Sequence, residues 1–575
     1  MKKLSFVILA MIVFASAVSA EEAPAGDANV IITGHVKDYR DYPVPSVIVR
    51  AYVNGEEREV IDVFTGKHKG ETETASDGGY SFGLRVDNVE ESVIELEISK
   101  PSFRTRKVEV KKFLKEDGKY YAYLDPVLLY REMGPAFYVS AIILIFIYVL
   151  ISFEVLHRTI AAMFGAALML IITYTIGTMN NDYYILSFES AMQHVDWNVI
   201  FLLMGMMIIV AVMKETGIFQ WMAYKSYAMA KGNVWRLAVI LMVVTALLSA
   251  VIDNVTTMLL LTPITIEIAL VLRISPFSLL IPEILASNIG GAATLIGDPP
   301  NIMIGSYAGL TFNQFLFALT PVVIISMVVF IGMMRFYYGK EYAKANIENV
   351  DEILKELEEK YQITDMKLLK HCLVVLTLVV FLFAMHGSLV DYLGDTMEVS
   401  VPALIGASVL VIISRQNIVK VLDHVEWPTL VFFIMLFIMV GGTIESGAID
   451  LIARGVLNLS GGSIIVAVVL IIWVSAFGSA IIDNIPFTAT MLPIVMYLSE
   501  TLGAGNTLWW ALALGACFGG NGTYIGASAN VVTIGLAERA GYQFKFVEFL
   551  KVGMPVMIVT VAIATVWILL VEVGI

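Results

Sequence analysis

Two Asp-Asn pairs lie in the middle of apolar stretches: Asp253-Asn254 within Ser249-Ala-Val-Ile-Asp-Asn-Val, and Asp483-Asn484 within Ser479-Ala-Ile-Ile-Asp-Asn-Ile. An ionised carboxylate near a membrane centre costs at least ~2.5–3.5 kcal/mol on insertion scales, so it calls for a proton or a bound cation. The chemistry expected of these groups is reversible loading with H⁺ or Na⁺. A second reading is that Asp and Asn cap helices expected to begin at Thr256 and Phe487, a position where both residue types rank well. One side chain can do both. Two more stretches break an apolar helix: Ser287 to Ser306, SNIGGAATLIGDPPNIMIGS, and Cys517 to Gly535, CFGGNGTYIGASANVVTIG. Their glycines and the Pro299-Pro300 pair free N–H and C=O groups where no bulk water satisfies them, and such backbone survives only where it lines a cavity or an ion. The candidate ion and substrate residues are therefore Asp253, Asn254, Thr256, Asn288, Thr294, Gly297, Asp298 and Asn301, with Asp483, Asn484, Thr523, Gly526, Ser528 and Asn530. Glu283, after Pro282 inside a span, is a candidate proton carrier. For Asp298 two readings stand, proton handling and stabilisation of the Pro299-Pro300 turn.

These motifs recur at an interval of 229 or 230 residues: Asp253 with Asp483, Pro263 with Pro493, Thr294 with Thr523, Gly297 with Gly526, Asn301 with Asn530, and His194-Val-Asp-Trp with His424-Val-Glu-Trp. One interval held over so many motifs marks an internal duplication. The duplication is not exact, because Leu512 or Ala513 answers Glu283 and Ala527 answers Asp298. The first half is the more acidic, and the two half-sites are expected to differ in task. Glu215 and Glu445 at span ends, and His194 and His424 at span starts, are read as boundary and capping residues.

The elements that must position these residues are membrane spans. The chain is 58% hydrophobic with mean hydropathy +0.79, well above a soluble domain. Ten spans are expected, at 135–153, 159–178, 198–214, 277–309 (broken), 314–335, 370–386, 400–413, 428–445, 508–535 (broken) and 551–573. Segments 236–272 and 462–500 are expected to enter, turn at Asp253 or Asp483, and leave by the same face. The net charge of −14 and the lack of a basic patch exclude nucleic acid as partner. No nucleophile-and-base set, Cys/His metal cluster or phosphate loop is legible, so an enzyme is not expected, no cofactor or structural metal is called for, and a gradient must drive transport.

Residues 1–20 read as a signal peptide, with Lys2-Lys3, an apolar Leu4 to Val13 and Val18-Ser19-Ala20 before Glu21. Residues 21–133 alternate with period 2 in Val30-Ile-Ile-Thr-Gly-His-Val and Val47-Ile-Val-Arg-Ala-Tyr-Val, which predicts a small extracytoplasmic β-sandwich. With the sandwich outside, every Lys and Arg after residue 134 except Arg454 falls on the cytoplasmic side, Arg158 among them. Five spans per repeat, 134–336 and 370–575, then make the second copy inverted relative to the first and put the C-terminus outside. Between them, 337–369 is expected to form a cytoplasmic amphipathic helix bearing Ile347, Val350, Ile353, Leu354, Leu357 and Tyr361. The fold class is a polytopic α-helical membrane protein of two inverted repeats, each with a re-entrant hairpin and a broken helix, in the plasma membrane.

Asn288-Ile-Gly-Gly-Ala-Ala-Thr-Leu-Ile-Gly-Asp-Pro-Pro-Asn and Gly519-Gly-Asn-Gly-Thr-Tyr-Ile-Gly-Ala-Ser-Ala-Asn resemble the melanosomal P protein group of the ion transporter superfamily, with its arsenite permeases, citrate and dicarboxylate carriers and sodium/proton antiporters. The resemblance covers about residues 135–575. It implies a secondary transporter of a small inorganic or organic ion, homodimeric, with elevator-like movement and sites at the hairpin tips and broken loops. Asp-Asn at both tips resembles the antiporter branch rather than the Ser-Asn-Thr of the carboxylate carriers, whereas Gly297-Asp-Pro-Pro-Asn301 resembles P protein and arsenite permeases. Arsenite or other anion efflux is the alternative, and a non-transporting sensor or assembly platform is the alternative from another class. The sandwich, through Gly34-His-Val-Lys-Asp and Ser76-Asp-Gly-Gly-Tyr-Ser-Phe, resembles the carboxypeptidase-regulatory domains, which are non-catalytic.

Overall fold

The computed structural model describes residues 28–38, 43–75, 77–116, 118–344, 358–393 and 398–574. They form two compact units, one reaching to Tyr138 and including Tyr174–Ile185, the other made of Val139–Thr173 and everything from Leu186 onward. The expected signal peptide lies outside the described residues.

The first unit is a sandwich of two sheets. Strands β1 (Val30–Asp38), β4 (Val60–Asp62), β5 (His68–Lys69), β7 (Gly79–Leu84), β10 (Leu114–Glu116), β11 (Lys119–Tyr123) and β12 (Val127–Leu129) build one sheet, with β11 and β12 parallel to β1. The second holds β2 (Ile48–Val53), β3 (Glu56–Arg58), β6 (Thr72–Glu73), β8 (Ile94–Ser99) and β9 (Arg106–Glu109). Alternate residues of β1, β2 and β8 point inward, so Val30, Ile32, Val49, Ala51, Leu96 and Ile98 meet Phe82 and Leu84 in one core. Ahead of β7, Asp77 Oδ1 accepts from Gly79 N at 2.8 Å and makes a local turn.

The second unit is helical. In the first half run α1 (Pro135–Ser152), α2 (Arg158–Tyr174), α3 (Trp197–Lys214), α4 (Ile218–Ala230), α5 (Val234–Ser249), α6 (Asn254–Val271), α7 (Phe277–Gly291), α8 (Pro299–Ala308) and α9 (Phe312–Lys344). In the second half run α10 (Met366–Leu393), α11 (Ser400–Ser414), α12 (Trp427–Glu445), α13 (Ala448–Ser460), α14 (Ile464–Ile481), α15 (Asn484–Leu502), α16 (Thr507–Gly519), α17 (Ser528–Arg539) and α18 (Phe546–Ile568). From α3 and α12 onward the helix starts keep close to the interval of the motifs. Among the described residues, ten helices are long and apolar enough to cross a membrane. They are not the ten expected. The hairpin legs α6, α14 and α15 join the set, whereas α11 and the halves of the broken helices, each of 10–15 residues, fall below span length.

Three other expectations need correction. Helices α6 and α15 begin at Asn254 and Asn484 rather than at Thr256 and Phe487, because each Asp is itself the N-cap and the helix starts with the next residue. Helices α4 and α13 were not expected, since 13 residues carrying Lys225 or Arg454 give no span signal. The span expected at 314–335 continues to Lys344, so the first residues of the expected linker belong to α9, while Ile347, Val350, Ile353, Leu354 and Leu357 lie outside the described residues. Residues Tyr361 to Thr364 lie against the first half: the Tyr361 hydroxyl donates to Glu267, and Thr364 N donates to Thr216 O at 3.0 Å.

The first leg of each hairpin packs on the broken helix of its own half, α5 on α7 and α14 on α16. The second leg touches that helix too and also reaches the other half, α6 onto α17 and α15 onto α8. This exchange brings both Asp-Asn tips and both interrupted loops to one place.

Candidate functional site

A common frame holds the two interrupted loops. Ser249 Oγ donates to Ser287 O at 2.8 Å, and Ser479 Oγ to Ala516 O at 2.7 Å. Thr294 Oγ1 donates to Ala250 O and Thr523 Oγ1 to Ala480 O, both at 2.5 Å. The Asn301 amide donates to Gly291 O, Ala292 O and Thr294 O, and the Asn530 amide to Gly520 O and Thr523 O. These bonds satisfy the carbonyls that the helix breaks expose. Close approach of tip and loop requires glycine: a Cβ on Gly297 would stand 2.5 Å from Gly291 O and 2.7 Å from Ser249 O, and one on Gly526 3.0 Å from Gly520 O and Ser479 O.

Inside this frame the side chains differ between halves. Asp253 caps α6 with Oδ1 accepting from Thr256 N at 2.9 Å, and its Oδ2 accepts from Thr256 Oγ1 at 2.6 Å. Asp483 caps α15 through Ile485 N at 3.1 Å, but its Oδ2 accepts from Ser528 Oγ at 2.6 Å and faces Arg158 Nη1 at 3.4 Å. Capping is therefore real at both positions, and each carboxylate keeps an oxygen turned to other groups. Asp298 stands at the N-cap of α8 without a side-chain capping bond. Instead both its oxygens accept from Asn484 Nδ2 at 3.2 Å, so the turn-stabilising reading gives way to a contact between the two halves. Asn254 Nδ2 donates to Asn288 Oδ1 at 3.2 Å, and Asn288 Nδ2 to Asn521 Oδ1 and Asn530 Oδ1, both at 3.0 Å. Because the Asn530 amide is committed to backbone carbonyls, the orientation of this chain is fixed, leaving Asn254 Oδ1 and Asn521 Nδ2 buried with no protein partner among the described residues.

The structure thus gathers most of the predicted residues into one cluster. Asn288, Asp298, Asn301 and Asn530 are fully enclosed, while Asp253 and Thr256 remain half-buried. Glu283 belongs to a different set, with Oε1 accepting from Thr265 Oγ1 at 3.1 Å and Oε2 without a partner among the described residues. The boundary pair also meets across halves, His194 Nε2 lying 3.2 Å from Glu445 Oε1.

Five residues escaped sequence reasoning. In the sequence Arg158 reads only as a cytoplasmic marker, yet its guanidinium donates to Ser528 Oγ, lies against Asp483 and reaches Thr429 Oγ1 at 3.0 Å. Thr429 donates to Glu426 Oε2 at 3.2 Å. Cys517 Sγ lies 3.5 Å from Asn301 Oδ1, and Asn521 anchors the asparagine chain. The signal for Cys517 and Asn521 was in the duplication: they stand where the first half has Asn288 and Ala292. Beside Arg158, Asp483 and Ser528 opens a cavity of about 310 Å³, also lined by Glu154 and His157.

The sequence profile described as citrate transporter (CitMHS) matches residues 148–515. An uncharacterized transporter of Mycobacterium tuberculosis is 42% identical over 432 residues, covering 75% of this chain and 97% of its own length. The chain belongs to the citrate transporter family. Human P protein is 34% identical over 510 residues, covering 76% of this chain and 60% of P protein. The YdaH transporter of Alcanivorax borkumensis superposes with a TM-score of 0.52 over 73% of this chain and 99% of its own, at 14% identity, a likeness of fold. This citrate transporter family member is accordingly a polytopic membrane transporter, not an enzyme, and sits in the lipid bilayer to move small ions or solutes.

Proposed function

We propose that the protein is a secondary active transporter coupled to H⁺ or Na⁺, in which the Asp253 and Asp483 tips and the loops at Gly297–Asn301 and Gly526–Asn530 load and release the coupling ion. The observation that carries this reading is the contact of Asn484 with the Asp298 carboxylate. It closes a tip of one half onto the loop of the other and makes a single site out of two. Asp298 stands in electrostatic reach of both Asp253 and Asp483. Several carboxylates gathered at such depth require protons or cations, which is what a coupled carrier supplies. In this reading the halves are inverted repeats, the protein works as a homodimer of the plasma membrane, and the cluster moves as an elevator against the remaining helices. Glu283, buried with one oxygen free of protein partners among the described residues, is a second proton-carrying position.

A flux panel in proteoliposomes, run with Na⁺ and H⁺ gradients against citrate, arsenite and Cl⁻, tests the proposal: solute movement should follow one of the two cation gradients. Flux indifferent to both gradients would refute it. Arsenite or another anion as cargo is the second reading, favoured by the Gly297-Asp-Pro-Pro-Asn301 loop. For topology, cysteine placed at Asp182 or Gly394 should label from outside and at Glu352 only from the cytoplasm. Outside labelling at Glu352 would overturn the inverted arrangement.

A further inference from the structure

The two tip carboxylates differ in what neutralises them. Asp253 takes its donors from Thr256 on its own helix, whereas Asp483 faces a guanidinium brought from α2, with the Arg158 and Asp483 side chains 19% and 8% exposed. A buried Arg–Asp pair holds a full positive charge at the place where a coupling cation would bind. Arg158 also has somewhere else to go. Its Nη2 is bonded to Thr429 Oγ1, and that hydroxyl donates to Glu426 Oε2, so a second carboxylate waits one residue beyond.

Glu426 is set apart by comparison with its counterpart in the first half. Asp196 caps α3 by accepting from Asn198 N and Val199 N, whereas Glu426, one methylene longer at the same place before α12, makes no capping bond. Both Arg158, by attraction, and Asp253, by repulsion, are near enough to act on the Glu426 charge. The cavity of about 310 Å³ beside the Arg158–Asp483 pair leaves room for an ion to approach Asp483.

We propose that Arg158 is a tethered counter-cation that alternates between Asp483 and Glu426, leaving Asp483 when the coupling cation or proton arrives and returning when it departs. This rests on the ion-coupled reading above. With both carboxylates ionised, Arg158, Asp483 and Glu426 together carry one net negative charge when empty, Glu426 then being held by the Thr429 hydroxyl. One positive charge enters at Asp483 as the guanidinium moves to Glu426 and makes the set neutral, and the reverse exchange ejects it. The exchange would place Arg158 as a positioning residue that sets how tightly Asp483 holds its ion and ensures that the empty site is never an uncompensated buried anion. The other charged groups facing this exchange are Asp298 before α8, Asp253 at the first tip, and Glu154 and His157 on the approach to α2.

The test is thermal melting of the purified full-length protein, titrated with NaCl at fixed pH and with pH in the absence of Na⁺. Wild type should show a saturable stabilisation in one titration, and Asp483→Asn should abolish or strongly weaken it. Arg158→Gln should tighten the response by about tenfold or more, read as a lower Na⁺ midpoint or a pH midpoint about one unit higher, the lower end of what one neighbouring charge does to a carboxylate. Glu426→Gln should move the midpoint the opposite way, because the displaced guanidinium loses its second acceptor, and Arg158→Lys should stay near wild type. A merely structural role would not produce shifts of opposite sign. If Arg158→Gln does not fold, the weakened midpoint of Glu426→Gln decides. An unmoved midpoint in either Gln variant, or shifts of the same sign in both, overturns the exchange. A wild type that responds to neither titration removes the ion-coupled reading itself.

Discussion

The two halves of the membrane unit keep the same backbone-holding bonds and exchange the side chains those bonds surround. Ser249 with Ser479, Thr294 with Thr523, and Asn301 with Asn530 make matching contacts to carbonyls of their own half. Around them, Thr256 is answered by Pro486 and Pro299 by Ser528, so the hydroxyl that serves each tip carboxylate comes from a hairpin leg in one half and from a broken helix in the other. Asp298 is answered by Ala527, and the asparagine at 288 by Cys517. A duplicated frame left to hold the loops frees the residues between to diverge, and the divergence concentrates acid in the first half and the guanidinium at the second. Backbone geometry is common property here, and ion chemistry is not.

The comparison breaks first at the glycines. Gly297→Ala places a Cβ within 2.5 Å of a backbone carbonyl, whereas Gly526→Ala meets its neighbours at 3.0 Å. Overpacking against backbone costs about 1–3 kcal/mol, so Gly297→Ala should lower the melting temperature clearly and Gly526→Ala less. Equal melting temperatures for the two would mean that the loops are not held as described. Next in size, Asn301→Ala and Asn530→Ala should each destabilise by about 2 kcal/mol, since each strands two or more buried carbonyls. Chemical denaturation would check this, and a neutral change at either position would remove it from the frame. Thr294→Val and Thr523→Val should each lose about 1 kcal/mol and do so equally, because the same single bond is removed in each half. A marked inequality between them would show that one threonine serves the ion rather than the backbone. Deletion of Glu21 to Tyr130 with residues 1–20 retained should have the smallest effect, leaving flux measurable, since the sandwich has a core of its own. Loss of flux in an inserted, folded protein would make it a working part.

Much of this was legible in the sequence because both periodicity and duplication leave marks that survive without structure. Val30 to Val36 alternates as a strand must, and the Asp-Asn tips and glycine loops repeat at one interval. The two 13-residue helices were missed because neither is apolar throughout nor long enough to register as a span. Arg158 was missed for a different reason. A basic residue at the start of an apolar run is the usual sign of a membrane surface, and nothing local reveals that the fold turns it toward Asp483, 325 residues away. Glu426 was visible as the partner of Asp196 in the repeated His-Val-acid-Trp motif, but the added methylene only acquires meaning once Asp196 is seen to cap and Glu426 is not. The crossing contact of Asn484 with Asp298 depends on the second leg of each hairpin reaching the broken helix of the opposite half, which no interval within one half encodes.

The most direct test of the account is flux through Asp253→Asn and Asp483→Asn in proteoliposomes, measured beside their melting temperatures. Asn preserves size and capping capacity while removing the charge. Both variants should therefore insert and melt near wild type yet lose ion-dependent flux by at least about tenfold, with the residual activity of Asp253→Asn less sensitive to pH. Near-normal flux and pH dependence in both would contradict the carboxylate mechanism and leave only the loops at Gly297–Asn301 and Gly526–Asn530 as the site.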